Sequence, residues 1–449
     1  MERIQTKKPL SPPELVTQCY LGLLLTAFVL YTGPGGYETI GDARYRFFLI
    51  LCGGYTALMA LLQAERVVIG RLKPTAPWVW WKNASTVQRL VTVYLALTLL
   101  SAALSPHREV WLGMSRREGA VTLLIYGLSF LLVSVYGRAK PWMGYALGAS
   151  MTAFAVLSLL QFAGGNPLEL YPAGMGWKNA DAYYGGAYFG TVGNADAASA
   201  LLGLTIPLFG VILWKGRGRT KWLLMVPLAL CTATLLRCCV AAGYVALCGG
   251  LLVTIPALLS EKRCRRRAWW TAAGLCAAAL AVLYLWQPPQ GTLWELHELL
   301  HGRIEDSFGS GRVYIWKQVL QRVPEHLLLG TGPDTMAAAA IEGFSYYDAA
   351  FDLYIQIQVD LAHNEYLNIL YHQGLPALAV YLAALGVTAA SWLRRGRRSV
   401  PLAVCGSGIL WYGIQVFFGF SLYLTAPLFW AVWALAERES RELRKERAT

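Results

Sequence analysis

Apolar runs of about 20 residues recur along the whole chain, and no other feature constrains its fold as strongly. A bilayer core of roughly 30 Å is crossed by about 20 apolar residues in a helix, because lipid offers no partner to an unpaired backbone N–H or C=O. The runs predict spans near residues 14–33, 45–63, 87–105, 119–136, 141–162, 195–214, 220–236, 239–259, 268–286, 366–392, 400–419 and 421–436. The expected fold is therefore an all-α polytopic integral membrane protein of about twelve transmembrane helices. Composition agrees: 56% of residues are hydrophobic and 14% charged, more apolar than a water-facing globule. The first run reads as a span because no small-residue cleavage pattern follows it.

Basic residues set the expected orientation, since Lys and Arg are retained on the cytoplasmic side during insertion. With the N-terminus inside, the cytoplasmic segments hold 28 of the 39 Lys and Arg and the outer segments 11. Both termini are then cytoplasmic, in a bacterial cytoplasmic membrane. The net charge of +13 follows from this topology, so nucleic acid is not an expected partner and membrane lipid is. The nine Cys show no paired CxxC spacing, and Cys52, Cys231, Cys248, Cys276 and Cys405 inside predicted spans read as core packing. Cys238 and Cys239, adjacent near an outer helix end, give no redox signal by themselves.

Two outer segments are too long for plain connectors: residues 163–194, rich in Gly and Tyr, and residues 287–365. The chain divides into membrane helices one to nine over 1–286, an extracytoplasmic loop over 287–365, helices ten to twelve over 366–437 and a basic cytoplasmic tail over 438–449. The long loop reads as a helical cap. Leu293 to Leu300 has helical apolar spacing, and Arg312 to Val323 carries Trp316, Val319, Leu320 and Val323 along one side. Pro324 and the turn from Gly330 to Asp334 end that helix. No internal repeat is evident, which counts against a repeat-built transporter.

Polar residues gather on the expected outer face: Arg108, Arg116, Arg117 and Glu118, then Asn194 and Asp196, Arg237, Arg312 and His363. Arg237 stands in an otherwise apolar stretch from Trp222 to Val253. It is either a cation snorkelling at a helix end or a fixed charge facing an anionic ligand. Arg116 and Arg117 equally suit lipid phosphates. Arg312 opens a helix, where the dipole disfavours a cation unless an anion lies near. A lone His is more often structural, but His363 sits at the junction of cap and membrane, where a neutral imidazole can accept a proton from a hydroxyl. Asn364 and Glu365 follow and can orient it. Outer carboxylates such as Asp181, Glu305, Asp306, Asp352 and Asp360 show no repeated close pair, so no metal and no cofactor is expected. P-loop and GxSxG motifs are absent.

Four segments resemble the bacterial O-antigen ligase and Wzy-type polysaccharide polymerase superfamily, together covering about residues 105–430. GTVGNADAASALL at 190–202 is similar to the family's Gly-Asn turn entering a membrane helix. SGRVYIWKQVL followed by GTGPDT, within 310–335, resembles its Arg-Trp helix and Gly-Pro turn. AHNEYLNILYHQGLPAL at 362–378 places His363 and Gly374 in the family's His-x10-Gly spacing, and RREG at 116–119 resembles an Arg-Glu-Gly element. Many members carry Ser-Arg-Gly where this chain has Leu236-Arg237-Cys238-Cys239, and Asn-Pro-Asn where it has Asn194-Ala195-Asp196.

The resemblance implies a GT-C type membrane glycosyltransferase of cell envelope biogenesis. It would move a glycan from an undecaprenyl-pyrophosphate donor to an acceptor hydroxyl on a glycan, lipid or wall polymer, at an extracytoplasmic active site. His363 would be the catalytic residue. Arg237 and Arg312 would bind pyrophosphate, with Arg116, Arg117, Asn194 and Asn364 completing the substrate-binding set. The reaction would be inverting and metal-independent. Sequence does not separate O-antigen ligase from polysaccharide polymerase. The alternative from another class is a transporter of an anionic solute, which would need polar residues running through mid-membrane to the cytoplasm.

Overall fold

A computed structural model describes residues 9–70, 76–177, 186–348, 353–357 and 359–446. Its helices are α1 (Pro12–Leu30), α2 (Gly36–Val68), α3 (Pro77–Asn83), α4 (Thr86–Leu104), α5 (Ala120–Tyr136), α6 (Pro141–Phe162), α7 (Ala195–Lys215), α8 (Arg219–Arg237), α9 (Ala241–Leu258) and α10 (Lys262–Leu285). After these come α11 (Thr292–Leu300), α12 (Arg312–Arg322), α13 (Glu365–Arg395), α14 (Val400–Gln415) and α15 (Ala426–Lys445). Every predicted span coincides with a helix. Among the described residues nine helices are long and apolar enough to cross a membrane. α5 and α14 are apolar but shorter, and α15 turns polar in its second half. That polar half, Glu437 to Lys445, continues the helix unbroken through the segment read as a tail.

The long loop departs from the all-helical expectation. Between α12 and α13 the chain forms an antiparallel ribbon of β1 (Phe344–Asp348) and β2 (Leu353–Ile357), with Tyr347 opposite Tyr354. The segments FSYYD and LYIQI are aromatic and β-branched, which suits a pleated strand better than a helix. Asp352 and Asp181 lie outside the described residues.

α7 is the buried centre, with α14, α8 and α9 packed on it. α13 lies along α4, and α15 lies between α5 and α14. Apolar residues all round α7 and the first half of α15 explain this, since a helix without a polar face must be covered on every side. α10 lies at the edge, packed mainly on α9 and α11, with almost all of its length exposed. Cys248 and Cys276 are exposed, so only Cys52, Cys231 and Cys405 of the five span cysteines serve as core.

In the cap the buried stripe of α12 is Ile315, Val319 and Val323, at strict i+4 spacing. Leu320 faces out, half exposed, and Trp316 instead donates its Nε1–H to the Ala362 carbonyl at 2.8 Å. Of the expected stripe Val319 and Val323 are buried and Trp316 packs partly buried against them, while Ile315 takes the inner place expected of Leu320.

α13 is broken at Gly374, with φ 83° and ψ 172°. The segment Leu327–Gly332 pairs with the break: Thr331 N–H donates to Tyr371 O at 3.0 Å, Gly332 N–H to His372 O at 2.9 Å and Leu375 N–H to Leu327 O at 2.8 Å. A Cβ on Gly374 would stand 2.3 Å from Leu328 O, so glycine is required both for the left-handed backbone and for the close approach. The break lets the cap seat on the membrane helices a fixed distance after His363.

Candidate active site

Helix starts place the polar groups. Asn194 is extended at φ −139° and its Oδ1 accepts the Ala197 N–H at 2.9 Å, which caps α7 and sets Asp196 in the first turn, where a carboxylate suits the dipole. Asn364 caps α13 in the same way, its Oδ1 accepting the N–H groups of Tyr366 at 3.0 Å and Leu367 at 3.1 Å. Both amides expected to bind substrate are therefore committed, through Oδ1, to helix starts.

His363 precedes that cap with φ 46°, a left-handed conformation uncommon outside glycine. Arg117, Asp334 and Ser310 share it, so non-glycine left-handed residues concentrate in the loops of this face. Such conformations persist where surrounding contacts over-determine them, as they do at functional sites.

The turn aims His363 at α7. Its Nδ1 lies 3.7 Å from Asp196 Oδ2, and Arg312 Nη2 lies 3.6 Å from Asp196 Oδ1. Both separations exceed a hydrogen bond, and free enzymes commonly hold catalytic contacts in this loose state. Arg312 is fixed from behind: Nε donates to Phe418 O at 3.0 Å and Nη1 to Gly309 O at 2.8 Å. The anion required beside a cation at a helix start is thus Asp196. Burial holds the His363 imidazole below the ordinary histidine range. Asp196 opposes that, while the charges of Arg312 and Arg116 reinforce it. Burial thus favours the neutral ring, and Phe420 meets it edge-on at 5.4 Å.

Arg116 and Arg117, adjacent in sequence, part company. Arg116 forms a two-point salt bridge with Asp360: Nε is 2.8 Å from Oδ2 and Nη2 donates to Oδ1 at 2.9 Å. Burial lowers its pKa, but Asp360 outweighs that and the net shift is upward. Its backbone N–H donates to Asp334 Oδ2 at 2.9 Å, and Ser115 adds N–H and hydroxyl donors to the same carboxyl. The RREG loop and the GTGPDT turn are therefore one unit. Arg117 instead pairs with Asp42 on α2 and lies over the Tyr45 ring at 5.2 Å, exposed. Arg237 ends α8 exposed, with no ion pair among the described residues. The neighbouring Cys238 thiol is pushed up to about 12 by burial.

Sequence reasoning missed the carboxylates that hold these cations: Asp196 as partner of His363 and Arg312, Asp360 of Arg116, and Asp334 of the loop. The only available signal was the position of Asp196 in a helix's first turn. Glu118 was also undervalued. It accepts the Tyr423 N–H at 2.6 Å and the Tyr126 hydroxyl at 2.9 Å, and burial pushes its carboxyl well above the usual range. Glu365 accepts the Ser421 N–H at 3.0 Å. Together they fasten the α14–α15 loop, whose Phe418 and Phe420 touch Arg312 and His363. A cavity enclosing about 470 Å³, open solvent included, lies between Arg116, Asp360, Glu118 and Glu365. Among the described residues no three His, Cys, Asp or Glu gather as metal ligands.

The arrangement offers a neutral base with a carboxylate partner, a cation fixed beside both, and a second cation at the mouth. It suits proton abstraction from a hydroxyl next to a developing anion. No curated protein matches the chain. A family model described as O-antigen ligase matches residues 226–382, a region that holds Arg237, Arg312, His363 and Gly374 but neither Arg116 nor Asp196. Over residues 226–382 this helical chain, with its long apolar helices, is similar to the O-antigen ligase family.

Proposed function

We propose that the protein is a membrane glycosyltransferase that moves a glycan from an undecaprenyl-pyrophosphate donor to an acceptor hydroxyl on the extracytoplasmic face. The observation that carries this reading is the contact of His363 and Arg312 with one carboxylate, Asp196, contributed by a different part of the chain. An acid between them orients both. It leaves His363 Nδ1–H facing Asp196 and Nε2 free as a proton acceptor, the tautomer a base requires.

In the proposed step the acceptor oxygen attacks the anomeric carbon while His363 Nε2 takes its proton. The bond from that carbon to the pyrophosphate oxygen breaks, and the electron pair leaves with the pyrophosphate. Asp196 stabilises the resulting imidazolium, which returns its proton to water. Arg312, with Arg237 at the rim, faces the leaving phosphate oxygens, where planar guanidinium groups make charge-assisted bonds. One displacement inverts the anomeric centre. Arg116 is already paired with Asp360, so its part is to shape the field around His363, while Arg117 braces the loop.

The distribution of charge supports the extracytoplasmic face. The candidate residues meet at one end of the bundle, and basic connections lie at the other, where Arg397 Nη1 donates to Ala257 O at 3.4 Å and Arg438 to Val135 O. Basic connections are the ones retained inside.

The test is transfer of glycan from a synthetic undecaprenyl-pyrophosphate oligosaccharide by purified full-length protein, with His363→Ala alongside and EDTA in parallel. Transfer that survives EDTA and collapses in the folded variant is the expected result. Full activity in the variant, or no transfer to any envelope acceptor, overturns the reading. The product separates polymerase from ligase.

A further inference from the structure

α12 connects two different polar places. Arg312 at its start faces Asp196, and Arg322 at its end borders an open crevice enclosing about 1000 Å³, solvent included, on the cap side. Ten residues at about 1.5 Å rise put these two points about 15 Å apart. The lining residues are almost all hydrogen-bonding: Gln318, Gln321, Arg322 and Glu325 from α12 and the turn after it, His107 from the α4–α5 loop, and Tyr371 from α13.

The crevice has a rigid frame. Thr331 and Thr335 share a hydroxyl hydrogen bond of 2.6 Å along its floor, and Thr331 N–H is held by Tyr371 O at 3.0 Å. Arg322 is preorganised by two 2.9 Å bonds from Nη1 to Gln318, one to its carbonyl and one to its side chain. The side chains of Gln321, Glu325 and His107 have no polar partner among the described residues. The floor belongs to the same turn whose Asp334 fixes the Arg116 loop, so the crevice is built into the frame of the site.

Charge distinguishes the two places. His363 lies among arginines, whereas in the crevice Arg322 and Glu325 balance one another and the remaining groups are amides, hydroxyls, the imidazoles of His107 and His326, one aromatic ring and two alanines. A balanced set of planar donors and acceptors suits a neutral polyhydroxyl ligand, and a pyrophosphate gains little there.

We propose that this crevice is a second glycan-binding subsite, which holds an oligosaccharide a few sugar units from the point of transfer. The assignment rests on the glycosyltransferase reading for the class of ligand. The glycan can belong to the donor or to the acceptor, and the chemistry of recognition is shared.

The test uses full-length protein and fragments of the host's own envelope polysaccharide, released by mild acid and pooled as one repeat unit or several. Binding is measured by calorimetry on wild type, His363→Ala, a Gln318→Ala/Gln321→Ala variant and a Gln321→Ala/Glu325→Ala variant. The last changes exposed positions only and leaves the Arg322–Gln318 contact in place. Multi-unit fragments are expected to bind wild type and His363→Ala alike and both crevice variants about tenfold more weakly. Equal binding to all four proteins, or to none, overturns the subsite. In transfer assays the same variants should raise KM for whichever partner is long, donor or acceptor, with kcat unchanged, and this identifies the source. Because binding is read without turnover, His363-dependent transfer with no fragment binding would defeat the crevice alone. Fragment binding with His363-independent transfer would defeat the proposed chemistry alone.

Discussion

Two arginine–aspartate pairs face the same end of the bundle, and they are built differently. Arg116 and Asp360 meet at two points, with Arg116 Nε 2.8 Å from its carboxylate oxygen, and the loop that carries Arg116 is clasped by Asp334. Arg312 and Asp196 stand 3.6 Å apart, with His363 at 3.7 Å on the other carboxylate oxygen. The first pair is a closed contact that leaves little for a ligand. The second is loose, held open by carbonyls behind Arg312, and stays available for charge that appears during a reaction. On the proposed reading the tight pair is scaffold and the loose pair is the reacting centre.

The largest effect that would sharpen this contrast is at His363. His363→Ala should lower transfer by about 10²–10⁴-fold with the fold intact, as single-turnover rates would show. If activity stays within about twofold, the loose triad is not the reacting centre. Next comes Arg312→Ala, with an expected loss of about 10²–10³ in kcat, because the cation is required only as the leaving group gains charge. Arg312→Lys should restore little of it, since a point charge cannot replace a fork held by two carbonyls.

The pH profile probes the loose pair directly. Burial keeps His363 below its ordinary value of about 6.5, and the base works when deprotonated. Activity should therefore rise with pH through a midpoint below that value and be level at neutrality. Asp196→Asn removes the carboxylate that favours the imidazolium, so the midpoint should move to still lower pH while kcat on the plateau falls. A midpoint unmoved by Asp196→Asn would detach Asp196 from the base.

The tight pair should answer in stability. Arg116→Ala leaves Asp360 without its partner, with an expected cost of about 1–3 kcal/mol in denaturant unfolding and a smaller effect on kcat than Arg312→Ala. A larger kcat loss at Arg116 than at Arg312 would reverse the assignment of the two pairs. The smallest effect belongs to Arg117. Arg117→Ala removes an exposed pair with Asp42, so stability should change by less than about 1 kcal/mol.

Lipid makes the helices legible. Each span must satisfy its own backbone and be apolar on its own, so each announces itself locally, and the predicted spans all coincide with helices. The β ribbon and the inner row of α12 lie in the aqueous cap, where no such rule applies and short segments take their form from neighbours. Gly374 was visible as a motif residue, but its reason, a left-handed break that receives the Leu327–Gly332 segment, exists only when two distant segments meet.

The sequence by itself pointed to a chain that crosses a membrane many times, to polar residues that collect at one end, and to His363 as the candidate base. These follow from hydropathy, charge bias and residue chemistry, which are properties of the chain read one segment at a time. The tertiary structure decided which carboxylate serves which cation. Asp196 lies 116 residues from Arg312 and Asp360 lies 244 residues from Arg116, and nothing local marks either pairing. It also decided that Asn194 and Asn364 are helix caps and that two neighbouring arginines face different partners. An ion pair is a property of distance in space, and only the packed helices set that distance.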